Sequence, residues 1–311
     1  MNKSIDASRI ERYQSLDFLA RQVVEGFITG LHKSPFHGFS VEFSEHRQYN
    51  TGESIKDIDW KLFGRTDKLF VKRYEEETNL RCQIVIDHSS SMYYPVKEDI
   101  SITNPNKITF SVYAAASIIY LLKKQRDAFG LSVFSDQIDT AIAARSSSVH
   151  YKHVLTQLEN LLKEHTPEEK LPTSAIESLH TIADSIHKRS LVIIFSDMFD
   201  SHLGNEEIFN ALQHLRHNKH EVILFNVTDM NKEYDFDFKS RPYKFIDMET
   251  AREIKVNPNE VKKAYIEALY KFKSELRIKC GQYEVDYIEA DINKGFDQIL
   301  LPYLIKRSRL Y

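Results

Sequence analysis

The chain has 311 residues and a mass of 36.4 kDa, room for one large α/β domain or two of ordinary size. Hydrophobic residues make up 42% and charged residues 28%, a balance that excludes wholesale disorder. With 42 Lys and Arg against 45 Asp and Glu the net charge is −3, which argues against a broadly basic nucleic-acid binder.

The predicted elements run as follows. From Tyr13 to Leu31 the apolar residues Leu16, Leu19, Ala20, Val23, Val24, Phe27 and Ile28 recur at helical spacing and predict one amphipathic helix. Val41–Ser44 and Leu69–Tyr74 read as short strands, so residues 1–79 are expected to form a helix plus a small strand-rich subregion. Residues 80–311 then alternate strands and helices. Strands are predicted at 82–86, 129–134, 138–143, 191–195, 221–227 and 284–288, and helices at 108–122, 149–162, 175–186, 208–215, 261–278 and 296–305. An inserted hairpin is expected near 231–256. The run Leu191-Val192-Ile193-Ile194-Phe195 is unbroken apolar, as in a strand buried on both faces. Such alternation predicts an α/β fold with a doubly wound, mostly parallel, Rossmann-like sheet, whose ligand sites lie beyond the carboxyl ends of the strands.

No apolar run reaches the roughly 20 residues of a membrane helix, and Met1–Asp6 lacks the apolar stretch of a signal peptide. Cys82 and Cys280 make no disulfide framework. A soluble, reduced, cytoplasmic protein with no membrane span is expected. The basic end Lys306-Arg307-Ser308-Arg309 reads as a helix C-terminus complementing the dipole.

Three polar groups fall at or near predicted strand ends. Asp87-His88-Ser89-Ser90-Ser91 follows the first sheet strand and places Asp87, Ser89 and Ser91 in an Asp-x-Ser-x-Ser pattern. Ser196-Asp197 ends the 191–195 strand, and Thr173, beside Ser174, precedes the helix feeding it. A carboxylate and hydroxyls are hard oxygen donors suited to Mg²⁺, ahead of Mn²⁺ or Ca²⁺. Each group alone reads as a turn or a helix cap. Together, each near the same sheet edge, they favour a metal site of Asp87, Ser89, Ser91, Thr173 and Asp197, with Ser174 an alternative hydroxyl. His88, inside the motif, is assigned no role, because hard-oxygen sites do not favour imidazole.

That order of ligands resembles the metal-ion-dependent adhesion site of von Willebrand factor A domains. Nearly the whole chain further resembles a bacterial family of such domains catalogued as domain of unknown function 58. The resemblance rests on Gly38, Glu42-Phe43, Arg47-x-Tyr49, Gly52, Ile58-Asp59-Trp60, Arg65 and the Lys72–Glu77 segment. It continues through Ile86-Asp87-x-Ser89-x-Ser91-Met92 and from Arg189-Ser190-Leu191-Val192 into Phe195-Ser196-Asp197. The resemblance implies a non-catalytic, Mg²⁺-dependent protein-binding adaptor whose cation accepts an Asp or Glu carboxylate from a protein partner. It also implies work beside an AAA+ ATPase of the MoxR type, in client recognition, complex assembly or metal insertion. The competing reading is a metal-dependent phosphatase or nuclease using Asp87 or the N-terminal acids Asp57 and Asp59. A phosphoryl-accepting Asp87 would want a second acid where Ser89 stands. No Gly-x-x-x-x-Gly-Lys-Ser/Thr phosphate loop appears.

Overall fold

A computed structural model describes residues 15–32, 46–48, 60–72, 80–135, 137–163, 175–198, 205–248 and 252–309. Helix α1 (Leu16–His32) comes first, and α2 (Trp60–Thr66) lies between two short strands, β1 (His46–Gln48) and β2 (Phe70–Lys72), which pair antiparallel. Alternation then sets in: β3 (Arg81–Asp87), α3 (Lys107–Lys124), β4 (Ala128–Phe134), β5 (Ile138–Arg145), α4 (Ser148–Lys163) and α5 (Ala175–Ser185). Next come β6 (Leu191–Ser196), α6 (Asn205–His217) and β7 (Glu221–Thr228). The hairpin of β8 (Tyr243–Ile246) and β9 (Glu253–Val256) precedes α7 (Pro258–Gln282), β10 (Asp286–Asp291) and α8 (Asp297–Arg309).

Six strands form the central sheet in the order β10-β7-β6-β3-β4-β5. Every pairing is parallel except β4 with β5. The expected α/β class and mostly parallel sheet are therefore observed. From β3 the chain builds one wing through β4 and β5, then returns to the other side of β3 for β6, β7 and β10. The winding reverses between β3 and β6, the place where such sheets open a crevice beyond the strand ends.

The apolar strand runs explain the two layers. Side chains alternate across a strand, so Cys82, Ile84 and Ile86 with Leu191, Ile193 and Phe195 enter the core under α1, α3, α4 and α8. Val85, Val192 and Ile194 point the other way, under α5, α6 and α7. Both sets are buried, which is why these strands carry no polar face. Each such Ile, Leu or Phe stabilises the fold by about 1.5–3 kcal/mol relative to remaining exposed. By contrast β5, the antiparallel edge, alternates between half-buried and exposed residues along its whole length. Helix α3 is apolar nearly all round because α1 covers the side the sheet does not. Leu16, Ala20, Val24 and Phe27 of α1 belong to the same buried cluster as Val112, Ala115 and Ile119.

Three local differences from the sequence expectation have physical causes. Helix α2 spans seven residues, too short for periodicity to reveal. Strand β10 begins at Asp286 rather than at 284, because Glu284 adopts φ 56°, a left-handed turn that closes α7. A π-helical turn at Met230–Tyr234 follows β7, at the start of the segment where an inserted hairpin is expected. The expected strand at Val41–Ser44 lies outside the described residues.

Candidate functional site at the strand ends

The Asp87 and Ser196–Asp197 segments meet where the winding reverses. Strands β3 and β6 are in parallel register, Ile86 opposite Phe195, so the next residues, Asp87 and Ser196, emerge side by side. Ser196 Oγ donates to Asp87 Oδ2 at 2.6 Å, and the Ser89 amide donates to Asp87 Oδ1 at 2.9 Å. Met198 N–H in turn donates to Ser196 Oγ at 2.8 Å, fixing that hydroxyl. Asp87 is 2% exposed. Burial, and then the nearby Asp197 carboxylate, push its pKa up to about 6 despite the opposing pull of Ser196 and Ser89.

The serines of the motif are not used as helix caps. Ser89 sits at the start of the short 3₁₀ turn Ser90–Tyr93, yet its side chain makes no capping bond. Its hydroxyl instead faces that of Ser91 at 3.0 Å. Mg²⁺ binds six oxygens at roughly 2.0–2.1 Å, which places neighbouring ligands roughly 3.0 Å apart. The hydroxyl pair therefore has the spacing of two adjacent positions on such an ion, and the donor set of hydroxyls and carboxylates fits a hard divalent cation. Among the described residues no group of three or more His, Cys, Asp and Glu side chains is arranged to hold a metal. A cation here would rest on Asp87 and Asp197 plus hydroxyls. Thr173, its neighbour Ser174, and the acids Asp57 and Asp59 lie outside the described residues.

Asp197 is 6% exposed and has a partner that composition and motif do not reveal. Lys107, the first residue of α3, donates from Nζ to Asp197 Oδ2 at 2.7 Å and to Glu233 Oε1 at 2.8 Å. Burial works against the Lys107 charge, but Asp197 and Glu233 outweigh it and hold its pKa above the ordinary value. For Glu233, burial would raise the pKa and Lys107 reverses this, leaving it lowered. Glu233 also accepts from the Thr228 hydroxyl at 2.8 Å and the Asp229 amide at 2.7 Å. Behind Asp197, its main-chain carbonyl accepts from Asn226 Nδ2 at 2.9 Å. Lys273 donates to Asn226 Oδ1, and burial brings that lysine's pKa down to about 8.

The motif histidine fastens the loop. His88 Nε2 lies within hydrogen-bond distance of the Tyr93 hydroxyl, and Nδ1 lies 3.3 Å from Asp139 Oδ2. Lys107 carries a legible signal of its own, outside the motif. It is a cation placed at the start of an otherwise apolar helix, where the dipole disfavours positive charge unless acids are close. Glu233 carries no such signal, because its turn follows β7 at a distance of 126 residues from Lys107.

The fold and site thus define a doubly wound α/β protein with a buried, oxygen-rich polar cluster at its winding reversal. Residues 45–274 match the family described as "Protein of unknown function DUF58", and the chain belongs to that family. Uncharacterized proteins of Mycobacterium tuberculosis and Mycobacterium bovis are 23% identical over 220 residues, covering 70% of this chain. The match spans 64% of the length of those curated relatives. Among solved structures, BatB from Bacteroides thetaiotaomicron overlaps with a TM-score of 0.44 at 14% identity, covering 75% of this chain and 100% of that one. An aerotolerance-related membrane protein from Bacteroides fragilis overlaps with a TM-score of 0.44 at 15% identity, covering 73% and 99%. Among the described residues no helix is long and apolar enough to cross a membrane.

Proposed function

We propose that this chain is a non-catalytic, Mg²⁺-dependent protein-binding adaptor of von Willebrand factor A type. Asp87, Ser89 and Ser91 would hold the ion, with Asp197 and Thr173 contributing directly or through water. The observation that carries this reading is the conjunction at the winding reversal of Asp87, buried and without a cationic partner among the described residues, and a hydroxyl pair spaced 3.0 Å apart. A bound Mg²⁺ would supply positive charge to that carboxylate and an open coordination position for an Asp or Glu of a protein partner. The chain's own residues do the rest. Ser196 and the Ser89 amide orient Asp87, His88 anchors the loop, and the Lys107 ion pair holds Asp197 in place.

The partner ATPase of MoxR type is carried by the sequence resemblance. The reading is tested by calorimetry with Mg²⁺ and by affinity capture with and without EDTA. Wild-type protein is expected to bind one ion and to retain a partner that EDTA releases, and D87A is expected to do neither. Unchanged ion binding and unchanged capture in D87A would overturn it.

A further inference from the structure

A second cluster lies away from the strand ends, where helices α5 and α6 pack. His180 of α5 and His214 of α6 face each other with their Nδ1 atoms 2.8 Å apart and their ring centroids 5.1 Å apart. Both nitrogens cannot carry protons at that distance, so one offers a lone pair to the other's N–H. On its far side, His214 Nε2 lies 3.1 Å from Asp184 Oδ1, one turn beyond His180 on α5. Asn218 steadies this end of α5, donating from Nδ2 to the Ala183 carbonyl at 3.1 Å and to Asp184 Oδ1 at 3.5 Å. The neighbouring histidines are committed to the main chain. His187 Nδ1 meets the Lys188 carbonyl at 2.9 Å, and His220 Nδ1 accepts from the Ser190 amide at 3.3 Å. The facing pair remains open to solvent, since the His214 side chain is 27% exposed and Asp184 67%.

We propose that His180 and His214 form a binding site for a divalent late transition-metal ion of the Cu²⁺ or Ni²⁺ kind. Imidazole nitrogens ligate such ions at roughly 2.0–2.1 Å, and adjacent positions of a tetragonal ion then stand about 2.8–3.0 Å apart. The observed separation of 2.8 Å equals that spacing, and with the centroids 5.1 Å apart the two nitrogens meet head-on, so each lone pair swings by roughly 45° to aim at one ion in place of the shared hydrogen. Asp184 is the outer-shell partner. By accepting from His214 Nε2 it fixes the tautomer that leaves Nδ1 free to ligate. Water or an outside ligand completes the shell, because no group of three His, Cys, Asp and Glu ligands exists among the described residues. Imidazole suits a softer ion than the oxygen donors around Asp87, so the two sites take different metals.

The test uses the full chain in excess Mg²⁺, titrated with Cu²⁺ by calorimetry and read by electron paramagnetic resonance. Wild-type protein is expected to take up one Cu²⁺ with the hyperfine signature of two nitrogen ligands. H180N and H214N should each lose that signature, and D184N should weaken binding by about 10–100-fold. H153N, at an exposed histidine on α4, should change nothing. Circular dichroism of each variant separates lost ligation from lost folding. Absence of a stoichiometric two-nitrogen ion in the wild type, or its survival in folded H180N or H214N, overturns the proposal. Undiminished affinity in D184N removes Asp184 from it.

Discussion

Asp87 and Glu233 sit at the same end of the sheet, and the fold treats their charges in opposite ways. Glu233 shares the Lys107 ammonium with Asp197 and takes two further hydrogen bonds, from Thr228 and Asp229. Its pKa is lowered in spite of burial. Among the described residues Asp87 receives hydrogen bonds only from Ser196 and Ser89 and has no ion-pair partner, and its pKa is raised to about 6. One cluster carries its own cation and is complete. The other holds a carboxylate that dipoles alone only partly compensate, which is the electrostatic condition under which an external cation is stabilising.

The largest expected effect comes from removing the internal cation. K107M leaves Asp197 and Glu233 with no ammonium between them and is expected to lower unfolding free energy by about 3–5 kcal/mol in denaturant titration. A loss under ~1 kcal/mol would mean that the lysine is not the partner the geometry makes it. S196A removes the hydroxyl that donates to Asp87 and accepts from Met198, so a loss of about 1–3 kcal/mol is expected by the same measurement. Saturating Mg²⁺ sharpens the contrast from the other side. At one hundred times its dissociation constant it is expected to raise wild-type stability by about 2.7 kcal/mol, and to leave D87N unmoved in a thermal melt.

The smallest effects are pH slopes, and they should have opposite signs. Glu233 is lowered in the folded state, so its stability contribution is present above the ordinary value of 4.5 and is lost as pH falls through the folded pKa. Asp87 is raised from 3.8 to about 6, so between those values the folded state binds more protons than the unfolded one. Its contribution is therefore present at low pH and is lost as pH rises across that window. In metal-free buffer, D87N should remove the second slope and E233Q the first. Identical slopes in wild type and both variants would erase the distinction between the two carboxylates.

Much of the architecture is legible in the chain because apolar periodicity records which faces are buried. The Leu191–Phe195 run can only satisfy its burial as a central parallel strand, and it lies between β3 and β7. The all-apolar middle of α3 requires cover on both sides, which the sheet and α1 supply. The Asp87, Ser89, Ser91 and Ser196 positions could be placed at strand ends for the same reason, since a polar residue after a buried run marks where the strand leaves the core. The basic end was legible as a helix C-terminus, which it is, but not by its partners. In the fold, Arg307 reaches the fully buried Asp127 at 2.9 Å and Lys306 bridges Glu221 and Asp286, so these are tertiary ion pairs and not merely complements to a helix dipole.

Local patterning thus determined the class of fold, the strands that form its centre and the loop that carries the oxygen donors, because burial on one face or both leaves a periodic trace in neighbouring residues. Only tertiary structure decided which charges meet. Lys107 and Glu233 are 126 residues apart, and His180 and His214 are 34 apart. Pairing across such distances is set by strand order and helix packing, and it imposes no spacing rule that a linear reading can detect.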